Sequence, residues 1–306
     1  MLKKIKTYVN SIGAFGFFNA SQRVINYFHL RLARRFSAPG RLISKRIHNY
    51  RMLLDIEDPG ISQALFVEGT REQQLKYILE KEVKKDDAVL DLGANLGYYT
   101  LMLWKLVGED GKVYTLEPSS RNFEILKKNM VLNDVRNVVE CFHLAGGETI
   151  SKQKLYISEL SNTNTFIPDL YHSGTRSVGI TENFEVVDAI DMTSFIKDKR
   201  KIDLIRMDIE GYEVEVFEGL RQAIENGLYS GKIVFECHFP KYDDEKHSMR
   251  KQLNMLFKNG YYPKIMTSND EKLTNFFKRG YKPQKVVQTS IERFQGIYYN
   301  VTQDDA

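Results

Sequence analysis

Val89-Leu90-Asp91-Leu92-Gly93-Ala94-Asn95-Leu96-Gly97-Tyr98-Tyr99-Thr100 is the stretch from which the fold of this 306-residue chain can be read. An apolar run from Ala88 to Leu92 carries one acid, Asp91, near its end. Gly93 and Gly97 then bracket Asn95, and an apolar helical pattern begins. The order is strand, tight glycine turn, helix. Glycine reaches backbone conformations closed to other residues and lets a ligand approach closely. The following helix aims free N–H groups and the positive end of its dipole at whatever lies over the turn. Such a turn suits a small ligand bearing a carboxylate or phosphate, with Asp91 as acceptor for an ammonium or hydroxyl.

Working outward, apolar strand-like runs recur at 112–117, 137–144, 202–207, 232–237 and 296–301, and helical periodicity at 75–83, 97–107, 119–132, 212–226 and 245–259. Strand alternating with helix implies a parallel sheet covered on both faces, with ligands at the carboxyl ends of the strands near the switch in strand order. The section 152–187 breaks this rhythm. Leu155, Ile157, Phe184, Val186 and Val187 suggest a hairpin-like excursion whose tip, 161–177, is rich in Ser, Thr, Asn and Gly. A long polar loop inside a compact domain is more often functional than idle, and it reads as a lid or acceptor-binding loop.

Glu117 ends the second strand about twenty residues past the glycine turn, where doubly wound folds place an acid on ribose hydroxyls. The turn lacks the third glycine of a dinucleotide fingerprint, and Asp91 would repel a pyrophosphate. An amino-acid head suits it better, its carboxylate toward the helix and its ammonium toward the acid. S-adenosylmethionine has that head and a ribose for Glu117. A third cluster, Met207-Asp208-Ile209-Glu210-Gly211-Tyr212-Glu213, ends another strand. Asp208 and Glu210 there suit a general base or a divalent cation such as Mg²⁺, whereas Glu213 reads as an acid favouring a helix N-terminus. His238, after Phe235-Glu236-Cys237, lies at the same sheet edge and as a neutral imidazole would accept a proton. His143, with Leu144 and Ala145, is placed to line an adenine pocket.

These segments in this order resemble the FkbM family of S-adenosylmethionine-dependent methyltransferases. Also matching are Gly69-Thr70-Arg71-Glu72, Leu116-Glu117-Pro118-Ser119 with Asn122, Lys127-Lys128-Asn129 through Asn133, Asp191, Glu236 with His238, and Gly296-Ile297-Tyr298-Tyr299-Asn300-Val301. The resemblance covers roughly residues 65 to 302. It implies an α/β, Rossmann-like class I methyltransferase fold, a seven-stranded sheet whose last strand is antiparallel. It also implies O-methylation of a sugar, glycan or other hydroxylated metabolite, with S-adenosylhomocysteine as product. Asp91, Gly93, Asn95 and Gly97 would position the methionine part and Glu117 the ribose. Glu72, Ala94, Tyr98, Pro118, Asn122, His143, Ala145 and Asp208 complete the expected cofactor-binding set. Asp208, Glu210 and His238 are the expected catalytic residues, Glu210 and Glu72 orienting the acceptor. No resident metal is expected, Mg²⁺ at Asp208 and Glu210 being the variant. One departure is Ala145-Gly146-Gly147 where many relatives carry an Asp.

Residues 1–64 lie outside the resemblance and read as a basic helical extension preceding a domain at 65–302. Residues 1–54 hold eleven Lys/Arg and no Asp or Glu. The rest of the chain therefore carries 33 Lys/Arg against 40 Asp/Glu, or −7, within a formal net charge of +4. A basic arm with interleaved apolar residues suits either contact with a polyanion or an anionic membrane surface, or packing on the main domain with its cations solvated. No apolar run approaches the roughly 20 residues that span a bilayer, and no signal peptide is evident. A cytoplasmic protein, with membrane association through 1–54 as the option, is the expectation. Cys141 and Cys237 sit in strand-like runs as small buried hydrophobes rather than a disulfide. The basic arm leaves a nucleic-acid methyltransferase as the rival reading, although the chain has no Pro-Pro pair of the exocyclic-amine motif. A non-catalytic scaffold and a nicotinamide-dependent dehydrogenase are the remaining rivals.

Overall fold

The computed structural model describes residues 17–36, 38, 40–168, 180–238, 242–243, 245–267 and 297–303. Expectations that fall on 1–16, on 169–177 of the polar loop and on Gly296 lie outside the described residues. The chain divides into two compact units, residues 1–71 with 159–162, and residues 72–158 with 163–306.

In the first unit, helix α1 (Phe17–Phe36) is followed by an antiparallel hairpin, β1 (Leu42–Ile47) and β2 (Tyr50–Asp55), and by helix α2 (Ile61–Glu68). The helical extension expected over 1–64 is thus corrected. The reason is period-two burial, with Tyr50, Met52 and Leu54 inward, which a run of interspersed Lys and Arg disguises in the sequence. Tyr27, Leu30, Ile56 and Val67 form one cluster of this unit's core. Arg34 fastens α1 by donating to the carbonyls of Ile56 and Asp58 and to Gln63 Oε1. Asp58 accepts from the backbone of Gly60 and Ser62 and from Ser161.

The second unit is built on a seven-stranded sheet. Its strands are β3 (Ala88–Leu92), β4 (Lys112–Leu116), β5 (Val139–Phe142), β9 (Leu204–Met207), β10 (Lys232–Phe235), β11 (Tyr261–Thr267) and β12 (Ile297–Gln303). The spatial order is β11-β12-β10-β9-β3-β4-β5. The pairs β10–β9, β9–β3, β3–β4 and β4–β5 are parallel, and β12 runs antiparallel to both its neighbours. This is a class I methyltransferase-like α/β fold with a mostly parallel central sheet. The helices are α3 (Gln73–Glu82), α4 (Tyr98–Val107), α5 (Ser120–Leu132), α6 (Met192–Lys197), α7 (Glu213–Glu225) and α8 (Met249–Lys258).

All five residues of β3 are buried, as befits a central parallel strand. Alternation divides them. Leu90 and Leu92 join the large core with Ile205, Met207, Phe217, Leu220, Ile233 and Phe235, while Val89 and Asp91 point to the other face. The chain leaves β3 outward through β4 and β5 and returns to β9 on β3's other side. That places the switch in strand order between β3 and β9, beside the glycine turn.

The excursion after β5 is a separate three-stranded sheet, β6 (Ala145–Gly147), β7 (Ser151–Ser158) and β8 (Ile180–Asp191), in the order β6-β8-β7. Asp191, one of the positions that carry the resemblance, caps α6 by accepting from Ser194 N at 2.6 Å. Helix α6 and strand β11 are additions to the pattern read from the sequence.

Candidate active site

The carboxyl ends of β3, β4, β9 and β10 bring together the glycine turn, Glu117, Asp208–Glu210 and Glu236–His238. Gly93 and Gly97 both take positive φ, 80° and 90°. A Cβ on Gly93 would stand 2.1 Å from the Asp208 carbonyl oxygen, and one on Gly97 would meet Leu126 and Met130 at 2.8 and 2.9 Å. Gly93 therefore serves the approach of two strand ends, and Gly97 the seating of α5 on the turn. The N–H groups of Gly93 and Ala94 both donate to Leu116 O, so Ala94 fastens the turn to β4 instead of offering its donor to a ligand.

Glu117 is 5% exposed. Its Oε2 accepts from Asn95 N at 2.7 Å, and its Oε1 from Ser119 N at 2.9 Å. Burial raises its pKa to about 7 against the lowering effect of these hydrogen bonds. Oε1 also accepts from Asn122 Nδ2 at 3.5 Å, so it is Oε2 that has room for a second hydrogen bond, which leaves the group able to receive a hydroxyl while it holds the turn in place.

Asp91 is corrected from ligand acceptor to buried anchor. It is fully buried, accepting from Thr100 Oγ1 at 2.7 Å and from Arg206 Nη1 at 3.2 Å. Arg206, which the sequence reading passed over, is opposite Asp91 in the β3–β9 register. It also donates to Gly93 O at 3.2 Å and to Asp208 Oδ2 at 2.7 Å, and its guanidinium lies 4.3 Å from the Tyr99 ring centre. Burial would lower its pKa, but Asp208 and Asp91 reverse that and raise it. The Tyr99 hydroxyl donates to Glu72 Oε2 at 2.6 Å, so Glu72 joins the network through a tyrosine. A cation inside an apolar strand, at the same register as an acid in its neighbour, was the available sequence signal.

Two further cofactor expectations change. Tyr98 is 1% exposed, its ring packed edge-on against Tyr99 at 4.9 Å, and is a core residue. Asn122 is also buried, its Nδ2 3.5 Å from Glu117 Oε1, so it supports Glu117 from behind. Ala145 is buried within β6. His143 is exposed at the end of β5, stacked on Phe123 with ring centres 4.7 Å apart and Nε2 2.9 Å from Pro118 O.

His238 Nε2 faces three carboxylates, with Glu210 Oε2 at 3.6 Å, Glu236 Oε1 at 3.9 Å and Asp208 Oδ1 at 4.0 Å. Its Nδ1 lies 3.0 Å from Glu213 Oε1. Burial would lower the histidine's pKa, but the carboxylates of Glu213, Glu210 and Glu236 carry it up to about 10. The imidazole therefore holds its proton at neutral pH, which corrects the expectation of a neutral base. Glu213 is corrected as well, since it is fully buried and does more than favour a helix terminus. It accepts from Tyr242 Oη at 2.6 Å and from the N–H groups of Ile209 and Gly211 at 3.3 Å. Burial would raise its pKa, but the charge and hydrogen bond of His238, with Tyr242, bring it down to about 2.

Burial raises the pKa of Asp208 against the pull of Arg206, with Glu72 and Glu210 adding to the rise. Glu236 is pushed well above the carboxylate range by burial and by Asp208. Among the described residues, the ligand atoms of Asp208, Glu236 and His238 converge within 4.8 Å, so Glu236 takes the place expected of Glu210 in a cation site there. Glu210 itself has φ 57°. Its carbonyl accepts from the buried Thr165 at 2.8 Å, and the next carbonyl, of Gly211, lies 2.8 Å from His247 Nε2. Cys141 and Cys237 are free cysteines.

The methyltransferase FkbM domain model matches residues 91–291, more than half of the chain. Among curated proteins, the chain is 25% identical over 155 residues to methyltransferase sdnD of Sordaria araneosa, covering 43% of this chain and 60% of that one. It is 24% identical over 170 residues to hexuronic acid methyltransferase AglP of Haloferax volcanii, covering 55% and 62%. The chain thus spans about three fifths of the length of these relatives. Among solved structures, the methyltransferase FkbM of Methylobacillus flagellatus aligns with TM-score 0.35 at 16% identity, over 57% of this chain and 43% of that one. With strand order, glycine turn and carboxylate cluster all falling inside or beside the matched span, this chain belongs to the FkbM methyltransferase domain family.

Proposed function

We propose that this chain is an S-adenosylmethionine-dependent O-methyltransferase acting on a hydroxyl of a sugar, glycan or similarly hydroxylated acceptor. The carrying observation is the charge of the switch-point site. Among the described residues, six carboxyl groups (Glu72, Asp91, Asp208, Glu210, Glu213 and Glu236) gather around two cations, Arg206 and His238. Such a site fits a ligand with a sulfonium and an ammonium and opposes a pyrophosphate. Glu117 is the residue suited to the ribose. The turn at Gly93–Gly97 and the start of α4 suit the methionine part, and His143 with Phe123 forms an aromatic face suited to the adenine.

S-adenosylmethionine, when bound, supplies an already activated methyl group. The chain's own residues then align the acceptor and remove its proton. Asp208 and Glu236 share a narrow space, so one keeps a proton and the other is ionised. Arg206 holds Asp208 in the ionised form, and Asp208 is the proposed base for the acceptor hydroxyl. His238, kept cationic by Glu213, orients the carboxylates and stabilises the negative charge that remains after proton transfer. The convergence of Asp208, Glu236 and His238 favours a second reading, in which a divalent cation such as Mg²⁺ lowers the hydroxyl pKa instead. Loss of turnover in EDTA with recovery on Mg²⁺ supports that reading, and full turnover in EDTA overturns it.

The name of the Haloferax volcanii relative supports a sugar acid among the first acceptors to try. The test is calorimetric titration with S-adenosylhomocysteine and with NAD, then incubation with labelled S-adenosylmethionine and a panel of hexuronic acids, neutral sugars, glycolipids and RNA. Binding of the first ligand alone, with label on a sugar hydroxyl, is expected. Glu117→Gln should weaken that binding roughly 10- to 100-fold, the loss of a charge-assisted hydrogen bond. NAD binding, or label confined to RNA, overturns the proposal.

A further inference from the structure

Helix α1 turns Tyr27 and Leu30 into the core of its unit and leaves a second apolar stripe uncovered. Ile25, Phe28, Leu32 and Phe36 are 47%, 48%, 59% and 74% exposed. Their spacing of three, four and four residues stacks them along one side of the helix, over a length of about 16 Å at the usual helical rise. Phe28 touches Tyr27 edge-on at 6.4 Å and is still half exposed. Large apolar side chains aligned in this way are unlike the scattered exposed residues of an ordinary surface.

The charges beside the stripe are of one sign. Arg31 and Arg35, both exposed, stand next to Leu32 and Phe36. Arg41, Arg46 and Arg51 of the same unit are exposed as well, and residues 1–54 contain no acid at all. We propose that the exposed face of α1 seats this chain on an anionic lipid bilayer, its apolar stripe entering the interface and its arginines meeting the headgroups. An interfacial helix needs this combination of apolar side chains and surrounding cations, and each cation near such a surface adds to the attraction. A second copy of the chain would set arginines against arginines across the stripe. Nucleic acid would use the cations and the rings but would gain nothing from Ile25 and Leu32, which have no stacking plane. No helix among the described residues is long and apolar enough to cross a membrane, so the contact lies along the surface.

The test is co-sedimentation of the full chain with vesicles of phosphatidylcholine alone and of phosphatidylcholine mixed with phosphatidylglycerol. Binding is expected for the mixed vesicles and should weaken as salt rises. A variant combining Phe28→Gln, Leu32→Gln and Phe36→Gln should lose tenfold or more of that binding, and Arg31→Glu and Arg35→Glu about fivefold each. All five side chains are exposed, so the thermal midpoint should stay at the wild-type value, which separates lost contact from lost fold. Absence of vesicle binding overturns the proposal, as does equal binding to neutral vesicles or undiminished binding by the triple glutamine variant. So does sedimentation velocity in which the wild type is a dimer and the triple variant a monomer, since the occupant is then a second copy. Binding of RNA but not of vesicles overturns it in favour of nucleic acid.

Discussion

Glu117 and His238 both hold their protons to higher pH than usual, and for different reasons. Burial keeps Glu117 protonated up to about pH 7, whereas neighbouring carboxylates keep His238 protonated up to about 10. For Glu117 the folded pKa exceeds that of the unfolded chain, so its contribution to stability is present at low pH and is lost as pH rises to about 7. Cofactor affinity runs the other way, because the ionised carboxylate is the better acceptor for a hydroxyl. S-adenosylhomocysteine should therefore bind more tightly as pH rises through about 7, and Glu117→Gln should flatten both trends. Calorimetry and thermal melts across that range check the two signs together. His238 also has a raised folded pKa. Its pairing stabilises the fold fully below the unfolded histidine value, and the contribution is lost as pH rises through about 10. Removing its largest supporting charge by Glu213→Gln should lower that midpoint, read directly from the imidazole resonances of His238 by NMR. A midpoint unchanged in the variant would contradict the role assigned to Glu213.

At the scale of elements, the decisive contact is between the glycine turn and the end of β9. Gly93 has positive φ and no space for a methyl group against the Asp208 carbonyl. Gly93→Ala should cost about 3 kcal/mol, combining left-handed strain with overpacking, measurable as a fall in the urea midpoint. It should also depress turnover by displacing Asp208. The strand–turn–helix unit was legible because its signals are local, namely an apolar run, two glycines at fixed spacing and an acid twenty-odd residues on. The hairpin β1–β2 was not, since Lys45, Arg46 and Arg51 blur the alternation that burial later reveals. Glu213 was misread for a related reason. As the first residue of a helix, an acid has an ordinary explanation at its own terminus, and only the strand that ends at Phe235 brings a histidine to meet it.

For the whole molecule, strand order decides which distant residues become neighbours. Asp91 and Arg206 are far apart in sequence, yet β3 and β9 lie side by side at the switch point and place them in register. Their roles were hidden from the sequence because an acid before a glycine turn and an arginine inside an apolar run each look complete alone. A buried charge that loses its partner costs about 3–5 kcal/mol, whereas replacing a pair by apolar groups is often close to neutral. Asp91→Leu and Arg206→Met should each destabilise by roughly that amount. The double variant should regain most of the loss, so the coupling in a double-mutant cycle should be at least the cost of one substitution, about 3–5 kcal/mol, and the variant should remain inactive because Asp208 loses its cation. In evolutionary terms positions 91 and 206 therefore behave as a single locus. Either substitution alone is a step into a fitness valley, the joint replacement restores a folded chain without its chemistry, and descendants that keep the reaction keep both charges.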